Sequence, residues 1–314
     1  MQYRRFGRTD LQVSVIGLGS GGPSQLGQTT GIPEDQSVAV VRRALDLGIN
    51  LIDSSAGYRE SEVLIGRAIA EVPRDNLVLA TKCHPVDSND AGIDEDELQA
   101  SLERSLRRLG VDYVDLFQFH GVVPDRYQQI MDRLLPVACR CRERGMFRFL
   151  GITERYHLDG GHTMLARALA DDHFDSIMVG YNLLAPGAER AILPQARKQD
   201  VAVMGMFAVR RALSDPQRLK ESIADLKARN VIPCDAVAAD DPLAWLIEGE
   251  VDSVTSAGYK FVAGNPDISS VLTGTGNLSH LEKNVQAVIG SPLPSAHRQR
   301  LKEIFGKVED PMGP

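Results

Sequence analysis

Four cysteines, Cys83, Cys139, Cys141 and Cys234, are scattered over 314 residues. They are too few and too dispersed for a disulfide framework. The Cys139-Arg140-Cys141 pair has the wrong spacing for a zinc knuckle, and no His or Cys cluster completes it, so no metal site is expected. Long apolar runs are missing too. No stretch approaches the roughly 18 apolar residues that cross a bilayer, and the first ten residues lack the apolar centre of a secretory leader. Basic charge is not in excess: Lys plus Arg total 35 against 42 Asp plus Glu, a formal net charge of -7. That balance argues against nucleic acid or an anionic membrane as partner. No Ser/Pro-rich linker or charge block divides the chain. A cytoplasmic metabolic protein with reduced thiols, forming one domain over residues 1–314, is the resulting expectation.

What the chain has is alternation. Apolar, β-branched runs at residues 13–20, 50–55, 77–82, 114–120, 147–153, 176–182, 201–207 and 268–275 read as strands. Several are continuous rather than alternating, as expected of parallel strands covered on both faces. Helical patterns lie between them. In 94–109, Leu98, Leu102, Leu106 and Leu109 paint one face, and in 34–47 Val38, Val41 and Leu45 do the same, with Gly48 placed to end the helix. The spacing between strands is mostly that of one βα unit, and eight strands close a barrel. The fold class read from this pattern is α/β, a (β/α)8 TIM barrel. It carries a long excursion after the seventh strand, with helices near 217–230 and 253–263. Extra C-terminal helices follow near 278–289 and 295–306.

Gly17, Gly19 and Gly22 satisfy the dinucleotide fingerprint G-x-G-x-x-G in spacing. That motif works only if a helix starts at the glycines and holds a pyrophosphate. Here Pro23, Gly27, Thr29, Thr30, Gly31 and Pro33 follow, so the glycines are read as a loop at a barrel mouth.

Strands two, three and four end at Asp53, Lys82 and His120, and Tyr58 follows Asp53 closely. In a barrel these ends share the face that carries active sites. Each has a bland reading as a salt bridge, a rim ring or a core histidine. Together they make chemical sense. A phenol is a poor acid–base group at neutral pH, and a nearby ammonium is expected to lower its pKa. Asp53 would hold Lys82, and His120 would donate to a substrate carbonyl. The set suits protonation of a developing alkoxide, with hydride from a nicotinamide, since no side chain supplies it.

These segments resemble the aldo-keto reductase superfamily over nearly the whole chain. Residues 3–14 (YRRFGRTDLQVS) are similar to the amino-terminal hairpin of many bacterial members. Residues 50–62 (NLIDSSAGYRESE) resemble the signature with the family's Asp and Tyr; 79–82 (LATK) and 115–120 (DLFQFH) resemble the segments with its Lys and His. The resemblance implies a bound NADP or NAD and Tyr58 as general acid–base.

It also implies cofactor contacts at Gly19, Ser20, Gly21 and Asp53 near the nicotinamide ribose, and at Thr153 for the carboxamide. Glu154 stands where Asn is usual, and Met178 where Gln is common. Met206 replaces a stacking aromatic, with Phe207 as its substitute, and both methionines are equally well read as strand core. Residues 272–284 resemble the segment holding the adenosine end, through Thr275, Gly276, Asn277, His280 and Asn284. Gly274 and His280 stand where NADP-preferring members place basic residues, leaving Lys283 nearby. Arg210 and Arg211 are candidates for clamping a pyrophosphate or a substrate carboxylate, or a solvated pair. The expected function is NAD(P)-dependent interconversion of a carbonyl (aldehyde, ketone or sugar-like) and an alcohol. A cofactor-binding sensor or regulatory subunit on the same fold, or a lyase needing no hydride, are the alternatives.

Overall fold

The computed structural model describes residues 1–86 and 91–309, so part of the pocket-lining loop expected at 84–93, and the last five residues of the chain, lie outside the described residues. Two short strands, β1 (Tyr3–Arg5) and β2 (Gln12–Ser14), form an antiparallel hairpin. Eight more follow: β3 (Ile16–Gly19), β4 (Leu51–Asp53), β5 (Val78–Cys83), β6 (Val114–Val122), β7 (Phe147–Glu154), β8 (Ser176–Gly180), β9 (Ala202–Met206) and β10 (Ser270–Thr273). They pair in parallel in chain order, and β10 closes on β3. The helices are α1 (Glu34–Asp46), α2 (Ser61–Ile69), α3 (Glu95–Leu109), α4 (Pro124–Glu143), α5 (Thr163–Asp171), α6 (Ala188–Ala191), α7 (Leu193–Lys198), α8 (Arg211–Ser214), α9 (Pro216–Ala228), α10 (Val254–Ala263), α11 (Leu278–Ile289) and α12 (Ser295–Phe305). The expected (β/α)8 barrel is thus present, with helices in the excursion after β9 and two after β10.

Two apolar layers hold it. Leu51, Val78, Ala80, Leu116, Met178 and Met204 fill the barrel, together with Phe6 and Val13 of the hairpin, which closes the N-terminal end. A larger layer lies between strands and helices. Every residue of β5 and β8 is buried, as in parallel strands covered on both faces. The α3 stripe behaves as its spacing predicts: Leu98, Leu102 and Leu109 are buried. Asp94 caps the helix by accepting from Glu97 N, acidic residues fill its first turn, and Gly110 at φ 68° ends it. Gly48, at φ 86°, closes α1 as expected.

Two strand readings change, and the loop expected at the glycines is present. The first predicted strand splits into β2 and β3, because Val15 N donates to Gln2 O in the hairpin rather than to the barrel. No helix starts at Gly17–Gly22; α1 begins at Glu34, so the dinucleotide fingerprint is a coincidence of spacing. Strand β6 runs past His120 to Val122, with an irregularity in its pairing to β7 between Phe119 and Val122 and with Gly121 at φ 65°. This bulge turns the end of β6 at the site. Among the described residues no helix is long and apolar enough to cross a membrane.

Candidate active site

The C-terminal ends of β4, β5 and β6 bring Asp53, Lys82 and His120 together. Lys82 Nζ donates to Asp53 Oδ2 at 2.6 Å and to the Ser54 carbonyl at 2.6 Å, and both charged side chains are buried. Gln118, two residues before His120 on β6, donates to Asp53 Oδ1 at 3.1 Å. Burial pushes the Asp53 carboxyl up, against the pull of the Lys82 ammonium and the Gln118 amide. Removing either charge of such a pair strands the other in a dry interior.

Tyr58 lies above this pair, its ring centroid 5.1 Å from Lys82 Nζ. Its hydroxyl is 3.2 Å from His120 Nε2. Ser55 sits beneath the imidazole, with Oγ 3.0 Å from His120 Nδ1 and 3.2 Å from the Lys82 carbonyl. These bonds are compatible with the Nδ1–H tautomer. In it, Ser55 gives its single proton to Lys82 O and accepts from His120 Nδ1–H. Nε2 then carries the lone pair and accepts from the Tyr58 hydroxyl. Burial holds the His120 pKa well below its ordinary value, reinforced by the charges of Lys82, His84 and Arg155, so the ring stays neutral.

One expectation is corrected here. Lys82 does pull the Tyr58 pKa down, but burial outweighs it, and the phenol stands above its ordinary value. His120 Nε2 meets the Tyr58 hydroxyl at 3.2 Å, and which of the two donates depends on the imidazole tautomer.

The remaining predicted residues spread around this centre. Gly21 packs directly on the Tyr58 ring, where a Cβ would stand 2.6 Å from Cε2 and Cζ. Ser20 is buried and donates to Ser54 Oγ at 2.9 Å, and Gly19 lies beside Leu272 and Thr273. The Thr153 hydroxyl accepts from Gly121 N at 2.7 Å, pinning the β6 bulge to β7. Glu154 is buried within 3.0 Å of His162 Nδ1 and accepts from Gly180 N at 2.7 Å, joining the ends of β7 and β8. Burial pushes its carboxyl up. Met178 is barrel core, and Met206 is half-buried above it. Phe207 leaves β9 at φ 63°, 38% exposed, with the Arg210 guanidinium 4.6 Å over its ring.

A groove of about 850 Å³ runs from Phe207, Arg210 and Arg211 past Gly274, Thr275, His280, Lys283 and Asn284, with Pro23 and Ser24 on its other wall. Gly276 and Asn277 stand apart from its lining. Gly276 faces Gly27, where a Cβ would lie 2.4 Å from Gly27 Cα, and Asn277 caps α11 by accepting from His280 N at 3.1 Å. Asn284 donates to Thr273 Oγ1 at 2.9 Å. Another cavity, about 460 Å³, lies toward the N-terminal ends of the strands. Its Arg74 and Arg148 are both paired with Asp115, at 2.7 and 2.9 Å, and it lacks the acid–base set.

Ser55, Gln118, His84 and Arg155 were not singled out from sequence. Gln118 carried a usable signal, since it shares a strand face with His120 two residues on. The other three depend on which loop atoms meet.

The chain is 29% identical to L-galactose dehydrogenase of Arabidopsis thaliana over 98% of its own length and 95% of that protein. It is 29% identical to an NADH-specific methylglyoxal reductase of Escherichia coli, over 63% of this chain and 64% of that one. A solved aldo-keto reductase from Bacillus halodurans, in its holo form, superposes with a TM-score of 0.75 at 22% identity, covering 98% of this chain and 97% of that one. A model of the aldo/keto reductase family matches residues 15–305, and the chain belongs to that family.

Proposed function

We propose that this protein interconverts a small carbonyl compound and its alcohol using NADH or NADPH, with Tyr58 as the acid–base group. The observation that carries this reading is the Tyr58 hydroxyl, set above the buried Asp53–Lys82 pair and beside neutral His120. The groove fits a nicotinamide dinucleotide. Arg210 and Arg211 suit its diphosphate, and Thr275, His280 and Asn284 suit its adenosine end. Ser24 Oγ, on the groove wall, is buried without a partner among the described residues, a hydroxyl left for a ligand. The nicotinamide, when bound, supplies or accepts the hydride.

The chain's own residues handle the proton. In reduction, the Tyr58 hydroxyl turns from His120 Nε2 to the substrate oxygen and gives up its proton as negative charge develops there. Lys82 stabilises the phenolate that remains, and Asp53 keeps Lys82 charged and in place. In oxidation the phenolate takes the alcohol proton. The test is purified protein with NADH and NADPH against a panel of aldehydes, ketones and sugars, followed by nicotinamide absorbance. Turnover in a Tyr58→Phe variant equal to wild type would sink the assignment.

A further inference from the structure

The wall of the mouth formed by the ends of β5, β6 and β7 carries charge that the acid–base chemistry does not use. His84, two residues beyond Lys82, stacks on His120 with ring centroids 3.9 Å apart and planes at 19°. Arg155 follows β7, with its backbone N–H bonded to Val122 O at 3.2 Å. Gly121 separates the two side chains. A Cβ built there would stand 3.8 Å from His84 Cε1 and 3.9 Å from Arg155 Nε, so imidazole and guanidinium flank the bulge beside His120. Both are partly exposed.

Acids outnumber bases over the whole chain, 42 to 35, and several arginines are matched by carboxylates, Arg5 with Asp200, Arg67 with Glu34 and Arg74 with Asp115, while others such as Arg4 meet only backbone carbonyls. Among the described residues no carboxylate pairs with Arg155. The two acids of the neighbouring strand ends are committed elsewhere, Asp53 to Lys82 and Gln118, Glu154 to His162 and Gly180 N. Arg155 acts on the titration of His84, His120 and His157, and in each case in the direction of a neighbouring positive charge.

We infer that Arg155 and His84 form an anion subsite, so that the substrate's carbonyl carries a carboxylate or phosphate within a few bonds of the reacting carbon. The inference rests on the carbonyl–alcohol reading above and deepens it. A guanidinium presents a planar fork that matches the paired oxygens of either group. At a half-buried mouth such a charge-assisted contact is worth about ten- to a hundredfold in binding. His84, kept below its ordinary value by burial and by Arg155 and hydrogen-bonded to the His120 backbone, walls the subsite beside the guanidinium.

The experiment compares matched pairs in the nucleotide-saturated enzyme: succinic semialdehyde against butanal for the carboxylate, glyceraldehyde 3-phosphate against glyceraldehyde for the phosphate. The expected result is a kcat/KM ratio of about tenfold or more for one anionic member over its neutral partner, expressed mainly in KM. That ratio collapses toward one in Arg155→Met and is partly kept in Arg155→Lys, which retains the charge without the fork. A wild-type ratio of one in both pairs, or a ratio unchanged in Arg155→Met, overturns the proposal. Malonate binding by calorimetry separates this from failure of the redox reading. If no carbonyl is turned over, malonate binding to wild type and not to Arg155→Met keeps the subsite while the reaction assignment falls. Equal binding to both, or to neither, removes the subsite. Thermal melting and nucleotide affinity of both variants check that they are folded.

Discussion

Gly21 approaches the Tyr58 phenol so closely that a Cβ on it would lie 2.6 Å from two ring carbons and 2.8 Å from the hydroxyl oxygen. Its φ is not in the left-handed region, so an alanine backbone is unstrained there and the only obstacle is the ring. Tyr58 is held by His120 at 3.2 Å on its other side. Gly21→Ala is therefore expected to displace the acid–base group while leaving the barrel intact. A loss in kcat of about tenfold or more is expected, because small misplacements of a reacting group are costly. The melting temperature should stay within a few degrees of wild type. Unchanged kcat in a folded Gly21→Ala would mean that Tyr58 is not where the reaction needs it.

The pH dependence follows from the direction of the Tyr58 shift. Burial keeps the phenol above its ordinary value of about 10. It is therefore protonated across the neutral range, the form reduction requires. Reduction should show no falling limb between pH 6 and 9, whereas oxidation, which needs the phenolate, should rise about tenfold per pH unit over the same range. Lys82→Met removes the one nearby charge that lowers the phenol. It should depress oxidation further at every pH, provided the variant folds with Asp53 left unpaired. Tyr58→Phe should cost about a hundredfold or more in both directions. A reduction limb falling near neutral pH would contradict the shift.

The barrel and its reacting ends were legible because parallel strands buried on both faces leave continuous apolar runs, and each run stops at the residue delivered to the mouth: Asp53, Lys82 and, within two residues, His120. The β6 bulge was not legible, since it rests on the φ of Gly121 and on the Thr153 hydroxyl that pins it, both tertiary facts. The helix at Ser61–Ile69 went unassigned because Glu60 gives it no side-chain cap and no break in composition marks its start. Ser55 read as a small loop residue; its role lies in where its proton goes. The sign of the Tyr58 shift was misjudged because sequence showed the neighbouring ammonium and hid the burial.

His120 also ties stability to pH. Its folded-state pKa lies well below the unfolded value of about 6.5, so its contribution is fully present above that value. It is lost as pH falls below it, when the unfolded chain takes up a proton that the folded site refuses. The slope from this one group approaches about 1.4 kcal/mol per pH unit. His120→Asn should flatten the acid side of a denaturation-midpoint profile between pH 6.5 and 5. The same slope in the variant would exclude His120 as the source.

The groove makes a further prediction about the nucleotide. Arg210 and Arg211 stand at its β9 end, while the α11 end offers His280 and Lys283 beside Glu282, whose carboxylate is tied to Arg43 at 2.8 Å. A 2′-phosphate generally calls for an arginine fork. NADH should bind about tenfold more tightly than NADPH, and His280→Arg should narrow or reverse that ratio, measured by fluorescence titration. Tighter NADPH binding by wild type would show that Lys283 alone meets the phosphate.

Ser55 is placed to set which nitrogen of His120 holds the proton. A hydroxyl that gives its one proton to the Lys82 carbonyl at 3.2 Å meets Nδ1 at 3.0 Å as an acceptor. Nε2 is left as the lone pair that orients the Tyr58 hydroxyl. Ser55→Ala removes the acceptor, and with it the preference for Nδ1–H. Nitrogen-15 NMR should show Nδ1 protonated in wild type and a shift toward Nε2–H in the variant. In that form the ring N–H opposes the Tyr58 O–H, which must turn away. One lost hydrogen bond of about 1 kcal/mol corresponds to a kcat loss of roughly fivefold to tenfold. Nucleotide affinity should be unchanged, and Ser55→Thr, which keeps the hydroxyl, should restore both the NMR signature and the rate. An Nε2-protonated His120 in the wild-type enzyme would overturn the tautomer and return the ring to the role of donor.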